Sequence, residues 1–152
     1  MIILLILGMK KPDMKIVKEL AENLDCGYDC YYIPSSNEII TISNDMKDLD
    51  EELYQETYAL DLEKIKQTEE DVIKIEPLGS FESYRIMEDY CNKVPDIVLK
   101  QKLQNALSNR KPFQNFKLLI DNSNYKKDWF DFKQKAIQHI VEKILASHQS
   151  KI

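Results

Sequence analysis

From Lys100 to Ile120 the chain carries five basic residues, Lys100, Lys102, Arg110, Lys111 and Lys117, and no acid. Lys126 and Lys127 follow after a short connection. Clustered cations of this kind reward phosphates, and exposed Phe or Tyr beside them can stack bases. The stretch "SNRKPFQNFK", residues 108–117, has this mixture of cations and aromatics. Spacing weakens the aromatic half of the signal. Phe113, Phe116 and Ile120 fall at i, i+3 and i+7 of a helix started by Pro112, a pattern that directs both phenylalanines into a core. What remains is Arg110 and Lys111 at a helix N-terminus, where the macrodipole is itself positive and opposes them by about 0.3–1 kcal/mol. Either the chain's own acids neutralise the pair, or the two cations join the free N–H groups in an anion site.

A second candidate is Arg85 in "FESYRIMEDY", with Glu82 three residues before it, Asp89 four after it and Glu88 beside it. On a helix both neighbours can reach the guanidinium, and a surface ion-pair ladder is the expected arrangement. The functional alternative has Arg85 gripping a carboxylate or phosphate in a groove, since its planar fork suits bidentate recognition. Nucleophilic catalysis needs a Ser, Cys or Thr beside a base. The only histidines, His139 and His148, lie near the C-terminus, and a Cys91/His139 dyad is the one pairing they offer. A helix-face histidine is usually inert, so no catalytic residue is assigned. GxSxG, GxGxxG, HExxH and a phosphate-cradling glycine loop are all absent, and three glycines are too few for most such sites. Cys26, Cys30 and Cys91 form no disulfide framework, and Cys26 and Cys30 lack the spacing of common zinc knuckles. Buried or half-buried thiols in a reducing cytosol are expected, with no metal and no cofactor.

The 152 residues suit one domain, and 43% hydrophobic with 31% charged residues is ordinary for a globular chain. The net charge of −5 argues against a generic nucleic-acid coat, yet it is unevenly spread. Residues 1–99 hold 10 Lys/Arg and 22 Asp/Glu, whereas residues 100–152 hold 11 and 4. Such asymmetry can mean that the halves attract one another, that molecules associate head to tail, or that the basic half meets an anion. Because sequence halves interleave in a folded domain, self-complementarity is the expectation.

These residues must be positioned by elements that the pattern makes readable. Scarce Gly and Pro favour long helices. "MIILLILG" is too short for a membrane span and lacks the features of a secretory signal, so residues 1–13 are read as an apolar extension. Asp13 can cap a helix whose stripe is Ile16, Val17, Leu20, Ala21 and Leu24. Tyr28–Ile33 and Ile39–Ile42 flank "PSSN" as a hairpin, and "VIKIEP", residues 72–77, supplies a third strand. Between them, residues 44–71 carry 11 acids against 3 lysines, and Leu49, Leu53, Tyr54, Tyr58, Leu62 and Ile65 are spaced for one helical stripe. Ser80 is placed as the next N-cap, before a stripe of Phe81, Tyr84, Met87, Cys91 and Val94. Pro95 is placed in the first turn of the following helix. The last helix offers Trp129, Phe132, Ala136, Ile137, Ile140, Val141, Ile144 and Leu145 to a core.

Three blocks, "IEPLGSFESYRIMEDY" at 75–90, "LQNALSNRKPFQNFKLLI" at 103–120 and "WFDF" at 129–132, resemble the bacterial family known as uncharacterised protein family 0158. The first helix and "CYYI" at 30–33 fit the same layout, and the resemblance covers residues 14–145 or so. It implies a small α+β bacterial protein and brings no catalytic residue with it. "MIILLILGMKKPD" precedes the usual start of such proteins, and the acidic stretch 44–71 does not align clearly.

The sequence therefore predicts a mostly helical α+β domain over residues 14–152, with a small antiparallel sheet of a hairpin plus one strand covered by helices. Its expected role is a non-enzymatic cytosolic binding protein that meets a protein partner or a second copy through acidic N-terminal and basic C-terminal surfaces, with no membrane contact. The alternatives are weak RNA or DNA binding through residues 100–127 and an enzyme acting on an anionic small molecule near Arg85 and Arg110. The candidate anion- or partner-binding residues are Arg85, Arg110, Lys111, Lys117, Lys126 and Lys127.

Overall fold

The structure, a computed structural model, describes residues 13–43, 50–68 and 71–149. Among them are seven helices and one three-stranded sheet: α1 (Met14–Asp25), β1 (Tyr28–Ile33), β2 (Glu38–Ser43), α2 (Glu51–Thr57), α3 (Ala59–Gln67), β3 (Ile73–Ile75), α4 (Ser80–Cys91), α5 (Ile97–Leu107), α6 (Pro112–Asp121) and α7 (Lys126–Gln149). The fold is α+β and mostly helical. The chain divides into two compact units, Met1–Pro77 with Ile137–Ile152, and Leu78–Ala136. The expected extension over residues 1–13 falls outside the described residues apart from Asp13, and so does Leu49.

In the first unit, Asp13 caps α1 by accepting the Lys15 N–H at 2.9 Å. Ile16, Val17, Leu20, Ala21 and Leu24 form its buried face, as the spacing predicts. The strand order is β2–β1–β3, antiparallel throughout, with Ile33 opposite Glu38 and Cys30 opposite both Thr41 and Ile75. Residues 34–37 close the hairpin. Asn37 adopts a left-handed φ of 57°, which asparagine tolerates, and its side chain accepts the Tyr32 hydroxyl at 2.7 Å.

Because side chains alternate along a strand, central β1 is buried on both faces. Cys30 lies on the face toward α1, its thiol 4.0 Å from the Leu20 carbonyl. Tyr31 and Ile33 point the other way, into a cluster with Ile40, Ile42 and Tyr54 that Tyr58, Leu62 and Ile65 complete. The single acidic helix predicted for residues 44–71 is interrupted at Tyr58. The break turns the Tyr58 ring onto Tyr54, with centroids 5.4 Å apart, and lets its hydroxyl accept the Ser43 N–H at 3.3 Å. Leu53, expected on the stripe, is 49% exposed.

In the second unit α4, α5, α6 and the start of α7 enclose an aromatic core. Phe116 is fully buried, and its ring meets Trp129 edge-on at 4.9 Å. Trp129 also contacts Tyr90 at 5.2 Å and lies nearly parallel to Phe132 at 6.4 Å. Aromatic pairs in such tilted geometries add to their area burial. The α4 stripe departs from its prediction. Ile86, Tyr90 and Cys91 are its buried residues, Tyr84 and Met87 are half-buried, and Phe81 is 74% exposed.

Two helix starts differ as well. Gly79, extended at φ −73° and ψ 169°, precedes the first turn of α4, so Ser80 lies inside the helix. Asp96 caps α5 by accepting the Leu99 N–H at 3.1 Å, which leaves Pro95 outside it. In α7 the buried residues are Gln134, Ile137, Val141 and Leu145, while Trp129, Phe132, Ala136, Ile140 and Ile144 are half-buried.

Candidate functional site

Helices α5 and α6 pack together and are joined by residues 108–111, a helical hairpin with a short polar link. The link is held from several sides. The Ser108 hydroxyl bonds to the Gln104 carbonyl at 3.1 Å, and Asn109 donates its amide to the Asn105 carbonyl at 2.6 Å. Asn115 donates to the Arg110 carbonyl at 2.9 Å. From α4, the Tyr84 hydroxyl donates to the Leu107 carbonyl at 2.9 Å, satisfying one of the orphan acceptors at the α5 C-terminus. Pro112 occupies the first turn of α6, as the sequence predicts, and Lys111 before it is left-handed at φ 51°.

This framework presents Arg110 and Lys111 to solvent. The ion pairs Lys64 with Glu38 and Lys74 with Glu76 belong to the sheet-bearing unit, and no described acid forms one with Arg110 or Lys111. None of the described acids therefore neutralises Arg110 or Lys111 at contact distance. The same holds for Arg85, so the expected ladder with Glu82 and Asp89 does not form. Phe113 also differs from its prediction. It is 37% exposed and packs edge-on against Tyr84 at 6.5 Å, because Phe116 and Ile120 alone fill the buried face of α6.

Beside the link, α5 and α6 enclose an open groove of about 420 Å³. Ala106, Leu118 and Leu119 supply its apolar lining. Lys102, Asn105, Asn109 and Asn115 supply the polar lining, with no acid, thiol or histidine among them. Arg110 and Lys111 lie in the chain between Asn109 and Asn115, at the end where the two helices connect. Lys117 is exposed on α6 next to Leu118. Arg85 on α4 and Lys126 and Lys127 at the start of α7 are exposed but do not line the groove. Sequence reasoning found the cations and missed the asparagines and Tyr84. The i, i+4 pair Asn105/Asn109 beside a basic turn was the available signal.

The two buried thiols, Cys30 and Cys91, lack the features of nucleophiles. Burial, with help from Asp29 and Glu19, pushes Cys30 up from 9.0 to about 12. Burial and then Glu88 push Cys91 up to about 11. Both stay protonated at neutral pH, which leaves a Cys91/His139 dyad without its thiolate. Cys26, contrary to expectation, is exposed at the end of α1, where the chain leaves the helix toward Gly27. No group of three or more His, Cys, Asp or Glu able to hold a metal occurs among the described residues. Nor is any of their helices long and apolar enough to cross a membrane.

Together these features define a small, mostly helical α+β protein whose helical hairpin carries unpaired cations beside an apolar groove. Residues 7–151 match the uncharacterised protein family UPF0158, and the chain belongs to that family. It is 29% identical over 124 residues to the UPF0158 protein PA5073 of Pseudomonas aeruginosa, covering 80% of this chain and 74% of that one. No solved structure matches the chain.

Proposed function

We propose that this chain is a cytosolic binding protein rather than an enzyme, and that its α5–α6 hairpin receives an acidic polypeptide. One observation carries the reading: Arg110 and Lys111 are exposed on a link whose backbone is hydrogen-bonded, and neither pairs with any described acid. An apolar lining flanked by cations suits an acidic segment that also carries aliphatic side chains. Three unpaired cysteines fit a reducing compartment. An enzyme acting on an anionic small molecule would need Arg85 or Arg110 to converge with an acid or thiol, and the groove supplies neither.

The half-exposed Phe113 beside Arg110 and Lys111 favours a second reading, in which the same turn holds single-stranded RNA or DNA. Fluorescence anisotropy distinguishes the two. Full-length protein is titrated into a labelled acidic peptide with interspersed leucines and, separately, into a single-stranded RNA, across a salt series. Peptide binding that Arg110→Glu with Lys111→Glu abolishes supports the proposal. A flat peptide titration at low salt contradicts it, and RNA binding with a steep salt slope points to the second reading.

A further inference from the structure

We infer that the groove between α5 and α6 seats the α2–α3 segment, residues 51–67, of a second copy of this chain. The inference rests on the reading above, that the hairpin takes an acidic polypeptide, and it names the polypeptide. The receiving surface has aliphatic chemistry in its lining, where Leu118 is 52% exposed, and cations around it in Lys102, Arg110, Lys111 and Lys117. The α2–α3 segment has the complementary chemistry. Glu51, Glu52, Glu56 and Glu63 are exposed there, and so are two leucines, Leu53 at 49% and Leu60 at 87%. Tyr54, Tyr58, Leu62 and Ile65 of the segment are already packed on the sheet. That packing turns the acidic face with Leu53 and Leu60 outward.

Leu60, 87% exposed on a helix of nine residues, offers apolar area whose burial on docking favours association. Nucleic acid fits the groove less well. The lining holds no aromatic ring on which a base could stack, and Phe113 is engaged edge-on by Tyr84. The amides of Asn109 and Asn115 are committed within the hairpin. In a two-fold dimer the contact occurs twice, segment to groove and groove to segment. Without closure, the same contact builds a head-to-tail chain.

Sedimentation velocity of the full-length chain over a concentration series tests this. The expected result is association at low salt that weakens as salt rises. Arg110→Glu with Lys111→Glu, and separately Glu52→Lys with Glu56→Lys, should each weaken association by about tenfold or more, through like-charge contacts. An equimolar mixture of the two double variants should associate again, because each retains or mirrors the surface the other has lost. Leu60→Asp, at a position too exposed to disturb folding, should also weaken association, and circular dichroism checks each variant. A wild-type chain that stays monomeric throughout overturns the inference. If that monomer still binds the acidic peptide of the preceding test, the binding reading stands and the second copy is wrong. If it binds no peptide, both fail. Variants whose mixture remains monomeric overturn the proposed contact even if the wild type associates.

Discussion

The two units of this chain build their interiors from different materials and carry opposite charge. The sheet-bearing unit, Met1–Pro77 with Ile137–Ile152, is organised by β-branched residues around β1, holds the Lys64–Glu38 and Lys74–Glu76 ion pairs, and has a net charge of −9 from 10 Lys/Arg and 19 Asp/Glu. Leu78–Ala136 is organised by Phe116, Trp129, Tyr90 and Phe132, and has a net charge of +4 from 11 Lys/Arg and 7 Asp/Glu. The charge asymmetry of the sequence is thus preserved unit by unit. Each unit buries a cluster of its own side chains, and in the second unit Arg110 and Lys111 are exposed and paired with no described acid.

The largest effect expected is on the aromatic core. Phe116→Ala should cost about 3–5 kcal/mol, and Leu20→Ala in the other unit about 2–5 kcal/mol. Amide exchange followed residue by residue should show the greater loss of protection within residues 78–136 for the first and around α1 and β1 for the second. Equal loss everywhere for both variants breaks the comparison.

Alkaline pH should weaken both units, because each buries a thiol whose folded pKa is raised. Cys30 and Cys91 keep their protons to about pH 12 and 11, while the unfolded chain releases them near 9. The stability they contribute is fully present below pH 9. It is lost as pH rises toward those values, at about 1.4 kcal/mol per pH unit for each thiol. Tyr90, raised by burial and by its bond to Asp128, adds to the slope in the helical unit. Urea unfolding at successive pH values measures that slope. Cys30→Ala and Cys91→Ala should each flatten part of it, and an unchanged slope in either variant contradicts the assignment.

Smaller changes sharpen the contrast. Tyr90→Phe removes a 2.9 Å bond to an exposed carboxylate that water can resolvate, so about 1 kcal/mol is expected in a melting experiment. Lys111→Gly relieves a left-handed backbone and should gain up to about 1 kcal/mol, while weakening binding by removing a cation. Lys64→Ala breaks an exposed pair with Glu38, whose carboxyl is held below its usual range by the Lys64 hydrogen bond, and should leave the melting temperature unchanged.

Much of the fold was legible because local rules and burial agree. The α1 stripe, its Asp13 cap, the hairpin at residues 34–37 and Pro112 opening α6 all follow from spacing and turn chemistry. What spacing could not supply was the competition between neighbours. Phe113 and Phe116 both satisfy helical periodicity toward a core, but only Phe116 meets Trp129 of the next helix, a packing choice that spacing does not encode. The break at Tyr58 depends on Ser43 of β2 offering its N–H, a long-range condition. At the candidate site the cations were readable from composition, whereas the groove depends on how α5 meets α6, and the absence of ion pairs on where the described acids end up.

Backbone amide chemical shifts show whether the α5–α6 hairpin receives an acidic polypeptide. On adding a peptide of the sequence of residues 50–68 to the labelled full-length protein, the shifts should concentrate at Lys102, Asn105, Asn109, Arg110, Lys111 and Leu118. The Arg110→Glu, Lys111→Glu variant should lose them. Shifts that map elsewhere, or none at peptide saturation, contradict this placement.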